Sequence, residues 1–462
     1  MAVELTISDF NKKEQLEIKS LLTMVGKKNF KYNNQKKLDF YLLSEDKTKL
    51  YVPYRFGVNY LERNINAEYN FMRSDIEFTG ELYENQVPLV DACWNLLKTT
   101  GTCVGEISTG VGKSIITMKL ASFVKGITCV MFPIKAIDDQ WVKVAQDNTN
   151  ASVWLTKNKM PKSIPNIIIT TMGQAHKIPE ELRREVKFLI FDEVHKFCVK
   201  TGIEPMLLFQ PKYVLALTAT LKRNADGMDK MIDTICGEER VFYQAPKDYT
   251  VFFYHTGICP PIEYNAFGDT DYSSLVRVLC ENEDRNKMVL NLVKQYVKDY
   301  KIMIATRRKE HAPYLCELIN QSFEDSGSEL IADYVADKKS TFNNCDVLVF
   351  NIPKAGVGFD VANKCPSFTG TIEMIIMYVP VRDTSLLNQL VGRVRSKFPN
   401  VIMLIDDNKT LESQANDCRK WFKRTGADIT VMYHNYDVEI SETDEASEAS
   451  ETENNSDSET ED

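Results

Sequence analysis

The sequence predicts an α/β fold built from two successive parallel-sheet domains, and three observations carry that expectation. Short apolar runs, mostly rich in Val and Ile, alternate with helical patterns through the middle of the chain, as strands buried on both faces of a parallel sheet do. The alternation occurs twice, on either side of a stretch with a Pro-Pro pair and little periodicity. The composition supplies the cores: 462 residues, 44% hydrophobic and 26% charged, a length that accommodates two to four domains.

The first set of apolar runs covers 103–107, 127–132, 166–170, 186–191 and 213–217. The second covers 301–305, 346–350, 373–378 and 401–405. Helical patterns sit between many of them, such as 113–124 and 310–319. Residues 1–78, with the alternating segments KLDFYLL and LYVPYRFG, read as a small α+β domain. The first βαβ domain is then 79–246, a linker 247–275, the second βαβ domain 276–436 and an acidic tail 437–462. The tail has no aromatic or branched apolar residue after Ser441, so it cannot offset its ordering entropy and is expected to be disordered.

Charge is unevenly placed. The chain has 56 Lys and Arg against 65 Asp and Glu, a net charge of −9, and ten of the acids lie between Ser441 and Asp462. The body is therefore close to neutral, and its net charge does not argue against an anionic partner. No uncharged apolar run is long enough to span a membrane. The N-terminus lacks the basic-then-apolar layout of a secretion signal. Eleven scattered cysteines without a C-x-x-C argue against a zinc cluster or disulfide scaffold. These points predict an intracellular protein without a membrane partner.

The chemistry concentrates in four places. In GEISTGVGKSIITMKL, an apolar run ends at Ile107. A Gly-containing turn of Ser108, Thr109, Gly110, Val111 and Gly112 follows, and Lys113 and Ser114 open a helix. Turn N–H groups and a helix N-terminus suit phosphate; Lys113 would reach the β and γ phosphates, and the Ser114 hydroxyl would hold Mg²⁺. A strict P-loop has Gly where Ile107 stands. In FLIFDEVHKF, Asp192 and Glu193 follow an apolar run, expected beside the P-loop strand, where a Mg²⁺ ligand and a residue that activates water belong. A lone Asp-Glu pair is more often plain surface; the apolar run before it reverses that weighting. His195 reads as a polar contact. In VLALTATLKR, Thr218 and Thr220 end another run and can couple the nucleotide site to a neighbouring domain. In LLNQLVGRVRSK, Gln389, Arg393 and Arg395 share an expected helical stretch whose arginines suit transition-state charge; taken alone, a solvated basic face is the simpler reading.

In this order the four blocks resemble superfamily 2 helicases, over about residues 78–410. The resemblance implies two tandem RecA-like P-loop NTPase domains with ATP and Mg²⁺ in the cleft between them, and a strand of nucleic acid across both. FTGELYENQ resembles the block that reads adenine, with Gln86 in that position, and the family rarely keeps the first P-loop glycine. VMFPIKAIDDQW and IIITTMGQAH resemble nucleic-acid-contacting blocks. VFNIPKAGVGFDVANK resembles the block with Gly358 and Asp360 at the nucleotide. Phosphate contacts are implied at Pro133, Lys135, Thr171, Gly173, Lys354 and Gly356. The family's second arginine falls three residues after the first, which is Ser396 here, so Arg393 and Arg395 share the candidacy. The D-E-V-H form of 192–195 looks most like the DNA-translocating branch, which includes helicases of large DNA viruses, a T4-phage recombination helicase and a eukaryotic repair and transcription helicase subunit. DNA is the expected partner and RNA the alternative; a scaffold with a vestigial ATPase is a third reading. Transcription, repair or recombination proteins would be further partners. A monomer is expected, because two such domains in one chain complete an ATP site. If the protein is viral, it acts in the host cell or the virion. The run Gly26-Lys27-Lys28-Asn29-Phe30-Lys31-Tyr32 is either an extra nucleic-acid surface or a solvated loop.

Overall fold

The computed structural model describes residues 2–26, 37–60, 69–133, 138–219, 228, 230–245, 247–266, 268–336, 341–352, 361, 365, 367–434 and 436–441. Two compact units divide between Ala245 and Pro246. Each is built around a parallel sheet, the arrangement of tandem RecA-like domains.

The first unit opens with five short strands, β1 (Ala2–Thr6), β2 (Thr23–Val25), β3 (Lys37–Asp39), β4 (Leu42–Leu43) and β5 (Lys49–Pro53). They pair antiparallel as β1-β5-β4 and β2-β3. The helix Lys12–Leu21 between them starts at a capping box, with Asn11 Oδ1 accepting from Lys13 and Glu14 and Glu14 accepting from Asn11 N–H. The apolar faces of this segment join the core beneath the main sheet: Val3, Leu5, Phe40 and Val52 belong to the same buried cluster as Met131, Leu189 and Val214.

Seven parallel strands follow: β6 (Thr102–Ile107), β7 (Ile127–Phe132), β8 (Val153–Leu155), β9 (Ile167–Thr171), β10 (Val186–Phe191), β11 (Tyr213–Thr218) and β12 (Arg240–Tyr243). Their order is β12-β6-β11-β10-β7-β9-β8. The central strands are buried almost end to end, which is why they read as continuous apolar runs. The register pairs Glu106 with Thr218 and Phe191 with both Ala216 and Met131. The C-terminal ends of β6, β11, β10 and β7 therefore lie along one edge, where α/β sheets hold ligands. The expected adjacency of the P-loop strand and the Asp192 strand is corrected here. Strand β11 lies between β6 and β10, so the strand beside the P-loop is the one ending in Thr218.

The second unit contains β13 (Thr250–His255), β14 (Lys301–Thr306), β15 (Ala332–Val335), β16 (Val347–Asn351), β17 (Ile372–Met377), β18 (Asn400–Ile405), β19 (Asp428–Tyr433) and β20 (Tyr436–Ser441). Their order is β15-β16-β14-β17-β18-β13-β19-β20, with β20 alone antiparallel. Strand β13 lies inside the expected linker, yet it pairs with β18 and β19 over its whole length. Only every second residue of β13 is deeply buried, so it lacks the unbroken apolar run of the other central strands. Strand β20 likewise extends the ordered sheet into the expected tail.

Among the described residues, no helix is long and apolar enough to cross a membrane.

Candidate active site

The phosphate-type turn is shaped by two glycines. Gly110 has φ 84° and Gly112 φ 89°, a left-handed conformation that glycine adopts without strain. A Cβ on Gly112 would collide with Gln86 Nε2, whereas one on Gly110 would meet nothing. Gly112 caps the helix Lys113–Val124, whose first turn aims backbone N–H groups into the turn. Gln86 is fully buried. Its Nε2 donates to Val111 O at 2.8 Å and its Oε1 accepts from Tyr83 N at 3.0 Å, so here its amide braces the turn. Ser108 ties the turn to β12, donating through N to Tyr243 O and accepting through Oγ from Ala245 N, both at 2.9 Å. Thr109 and Ser114 are half-buried, while Gly110 is exposed and Val111 is buried. Lys113 folds back onto the turn, with Nζ 3.1 Å from Ile107 O and 3.5 Å from Ser108 O.

Across the edge, Asp192 follows directly on the end of β10. Its carboxyl is pushed up to about 6 by desolvation and then by the Glu193 charge, against Lys113 and the Trp141 hydrogen bond, which favour the ionised form. Trp141 Nε1 donates to Asp192 Oδ2 at 3.1 Å. Glu193 turns the chain with φ 53° and ψ 48°, unusual for a residue with a Cβ. Its buried Oε2 has no hydrogen-bond partner among the described residues and lies 3.4 Å from His195 Nδ1. That nitrogen is 2.9 Å from Thr218 Oγ1, and both side chains are buried. His195 thus joins the end of β10 to the end of β11.

Three further candidates in this unit lie at the same edge. Pro133 follows β7 and is half-buried, Thr171 ends β9 and is buried, and Gly173 beyond it is exposed. In the second unit, Gln389 lies on the helix Thr384–Val391. The expectation that both arginines share this helix is corrected. The helix ends at Val391, Arg393 sits half-buried in the turn after it, and Arg395 is exposed beyond. Gly392 follows Val391 directly, and its low helix propensity suits the stop. Thr220, Lys135, Lys354, Gly356, Gly358 and Asp360, and the run holding Lys27, Lys28 and Lys31, lie outside the described residues.

The block VMFPIKAIDDQW drew attention to Trp141 as part of a nucleic-acid-contacting segment, but its contact with Asp192 was not legible. Its partner Asp192 is 51 positions away, and an aromatic on a helix reads as core.

The donors present fit a Mg²⁺-bound nucleotide. A lysine rests on turn carbonyls within a glycine turn, a carboxylate and a hydroxyl are present, and a second carboxylate has an orphaned buried oxygen. No cluster of three or more His, Cys, Asp or Glu able to cage a metal occurs among the described residues.

Comparison with known proteins agrees with this geometry. Residues 79–223 match the family described as type III restriction enzyme, res subunit. The chain is 23% identical over 402 residues to "Putative helicase 161L" of Invertebrate iridescent virus 6, covering 81% of this chain and 88% of that one. It is 24% identical over 449 residues to "Putative ATP-dependent RNA helicase L396" of Acanthamoeba polyphaga mimivirus, covering 90% and 83%. Among solved structures, a fragment of an HsdR subunit of a type I restriction enzyme from Vibrio vulnificus shares the fold. Its TM-score is 0.53 at 13% identity, covering 91% of this chain and 82% of that one. Together with the two parallel sheets and the nucleotide-type turn, these likenesses support an ATP-hydrolysing helicase.

Proposed function

We propose that the chain is an ATP-driven motor that moves along or unwinds DNA. The observation that carries this reading is the convergence of Lys113, Asp192–Glu193 and the His195–Thr218 pair on one sheet edge. The turn N–H groups cradle the phosphates, and Lys113 exchanges its carbonyl partners for the β and γ phosphates. Ser114 and Asp192 hold Mg²⁺, which supplies charge neutralisation at the phosphates. The Glu193 carboxylate orients and deprotonates the attacking water. Gln86 reads the base while bracing the turn, and Gly358 and Asp360 complete the nucleotide site. Gln389, Arg393 and Arg395 stabilise transition-state charge; Arg393, nearer the helix, carries the larger share. His195, Thr218 and Thr220 relay the state of the nucleotide. Pro133, Lys135, Thr171, Gly173, Lys354 and Gly356 contact phosphates without reading bases.

DNA is favoured by the D-E-V-H form of 192–195. RNA is the second reading, favoured by the name of the mimivirus relative. The test is steady-state ATP hydrolysis at fixed salt with no nucleic acid, single-stranded DNA, duplex DNA or single-stranded RNA, and Lys113→Ala as blank. Stimulation by DNA supports the proposal. Stimulation by RNA alone replaces it with the second reading, and turnover indifferent to all three polymers removes the motor.

A further inference from the structure

Trp141 sits on the helix Asp138–Asn148, which packs against the helix leaving the phosphate-type turn. The residue is 4% exposed and shares a buried cluster with Ile116 and Leu120 of that helix and Phe132 of β7. The start of its own helix is anchored by Lys157 Nζ, 3.0 Å from Asp138 and 2.8 Å from Asp139. The indole is therefore a stiff donor held by two packed elements.

A buried indole N–H needs an acceptor, and a backbone carbonyl suffices. Trp154, also buried in this unit, uses Asn158 O at 3.3 Å. Trp141 instead donates to Asp192 Oδ2 at 3.1 Å. A carboxylate can rotate about its terminal bond, and a donor fixed on one oxygen restricts that rotation. Metal ligation depends on such orientation, because partners behind the ligands set their geometry.

We propose that Trp141 is the positioning residue of the metal-binding carboxylate. Its N–H holds Oδ2 so that Asp192 meets the metal in one orientation, and this sets the Mg²⁺ concentration at which nucleotide binds. The inference rests on the reading of Ser114 and Asp192 as Mg²⁺ ligands.

The test is equilibrium binding of ADP carrying a fluorescent N-methylanthraniloyl group, titrated with free Mg²⁺, in the full chain. Trp141→Phe removes the donor and keeps an aromatic ring. Trp141→His fills less volume but returns a ring N–H at a comparable reach. Trp154→Phe removes an indole donor elsewhere in the unit. Half-saturating Mg²⁺ is expected to rise about tenfold in Trp141→Phe, as for a lost hydrogen bond to a charged group. Trp141→His should fall between wild type and Trp141→Phe, and Trp154→Phe should match wild type. Affinity in EDTA should be the same in all four. Packing alone would make Trp141→His worse than Trp141→Phe, and that order overturns the inference. So does an unchanged Mg²⁺ dependence in Trp141→Phe when wild type requires Mg²⁺. Wild-type binding indifferent to Mg²⁺ would overturn the reading of Ser114 and Asp192 together with it.

Discussion

Single side chains at the sheet edge are expected to separate binding from turnover. Lys113 sits on two turn carbonyls, so it is already where phosphate oxygens would replace them. Lys113→Ala should lower ATP turnover by at least about a hundredfold, in the range of other charge-stabilising groups, and steady-state kinetics will read it. Glu193→Gln keeps the shape of the side chain but not its basicity. It should bind ATP with near wild-type affinity and stall before hydrolysis, and single-turnover kinetics checks this. The two glycines should differ as well. Both positive φ values strain any residue with a Cβ by about 1–2 kcal/mol, but only at Gly112 does the Cβ strike Gln86. Gly112→Ala should therefore lose nucleotide binding more completely than Gly110→Ala, a difference that nucleotide titration measures directly.

At the scale of elements, the second unit contains a buried polar network that ties helices to strand ends. Arg285 pairs with Asp406 at 2.8 and 2.9 Å just beyond β18, and donates to Tyr378 O just beyond β17. His311, 4% exposed, bridges Thr306 Oγ1 at the end of β14 (2.7 Å) and Asn286 Oδ1 (3.0 Å). Burial, followed by the Arg285 and Arg308 charges, pushes the His311 imidazole down to about 3. Its folded value lies below the unfolded one of about 6.5. The stability it contributes is therefore complete above pH 6.5 and is lost as pH falls toward 3. Between pH 7 and 5 the loss is about 2 kcal/mol. Denaturant unfolding at the two pH values should show a difference that shrinks by about that amount in His311→Gln.

For the whole molecule, each unit has its own apolar clusters. Two flank the first parallel sheet and two flank the second. Independent cores of this kind let units fold alone. A fragment of residues 1–245 should give cooperative unfolding and bind nucleotide, because Gln86, the turn, Asp192 and Glu193 all lie within it. It lacks Gln389, Arg393 and Arg395, so its ATP turnover should fall by about a hundredfold or more and gain nothing from nucleic acid. Calorimetry and steady-state kinetics on the fragment test the two halves of this expectation.

The sequence by itself determined the α/β class, most of the central strands of both sheets and the glycine turn before Lys113 and Ser114. Those strands are buried on both faces and announce themselves as apolar runs, and a glycine turn before Lys-Ser is local chemistry that needs no distant partner. Strands whose burial alternates or whose length is short escaped, as β13 and β8 show. Tertiary structure alone decided which strand lies beside the P-loop, where the helix before Arg393 stops, and that Trp141 holds Asp192 and His195 meets Thr218. These depend on strand order and on packing between residues far apart in the chain, and no local pattern encodes a contact across 51 positions.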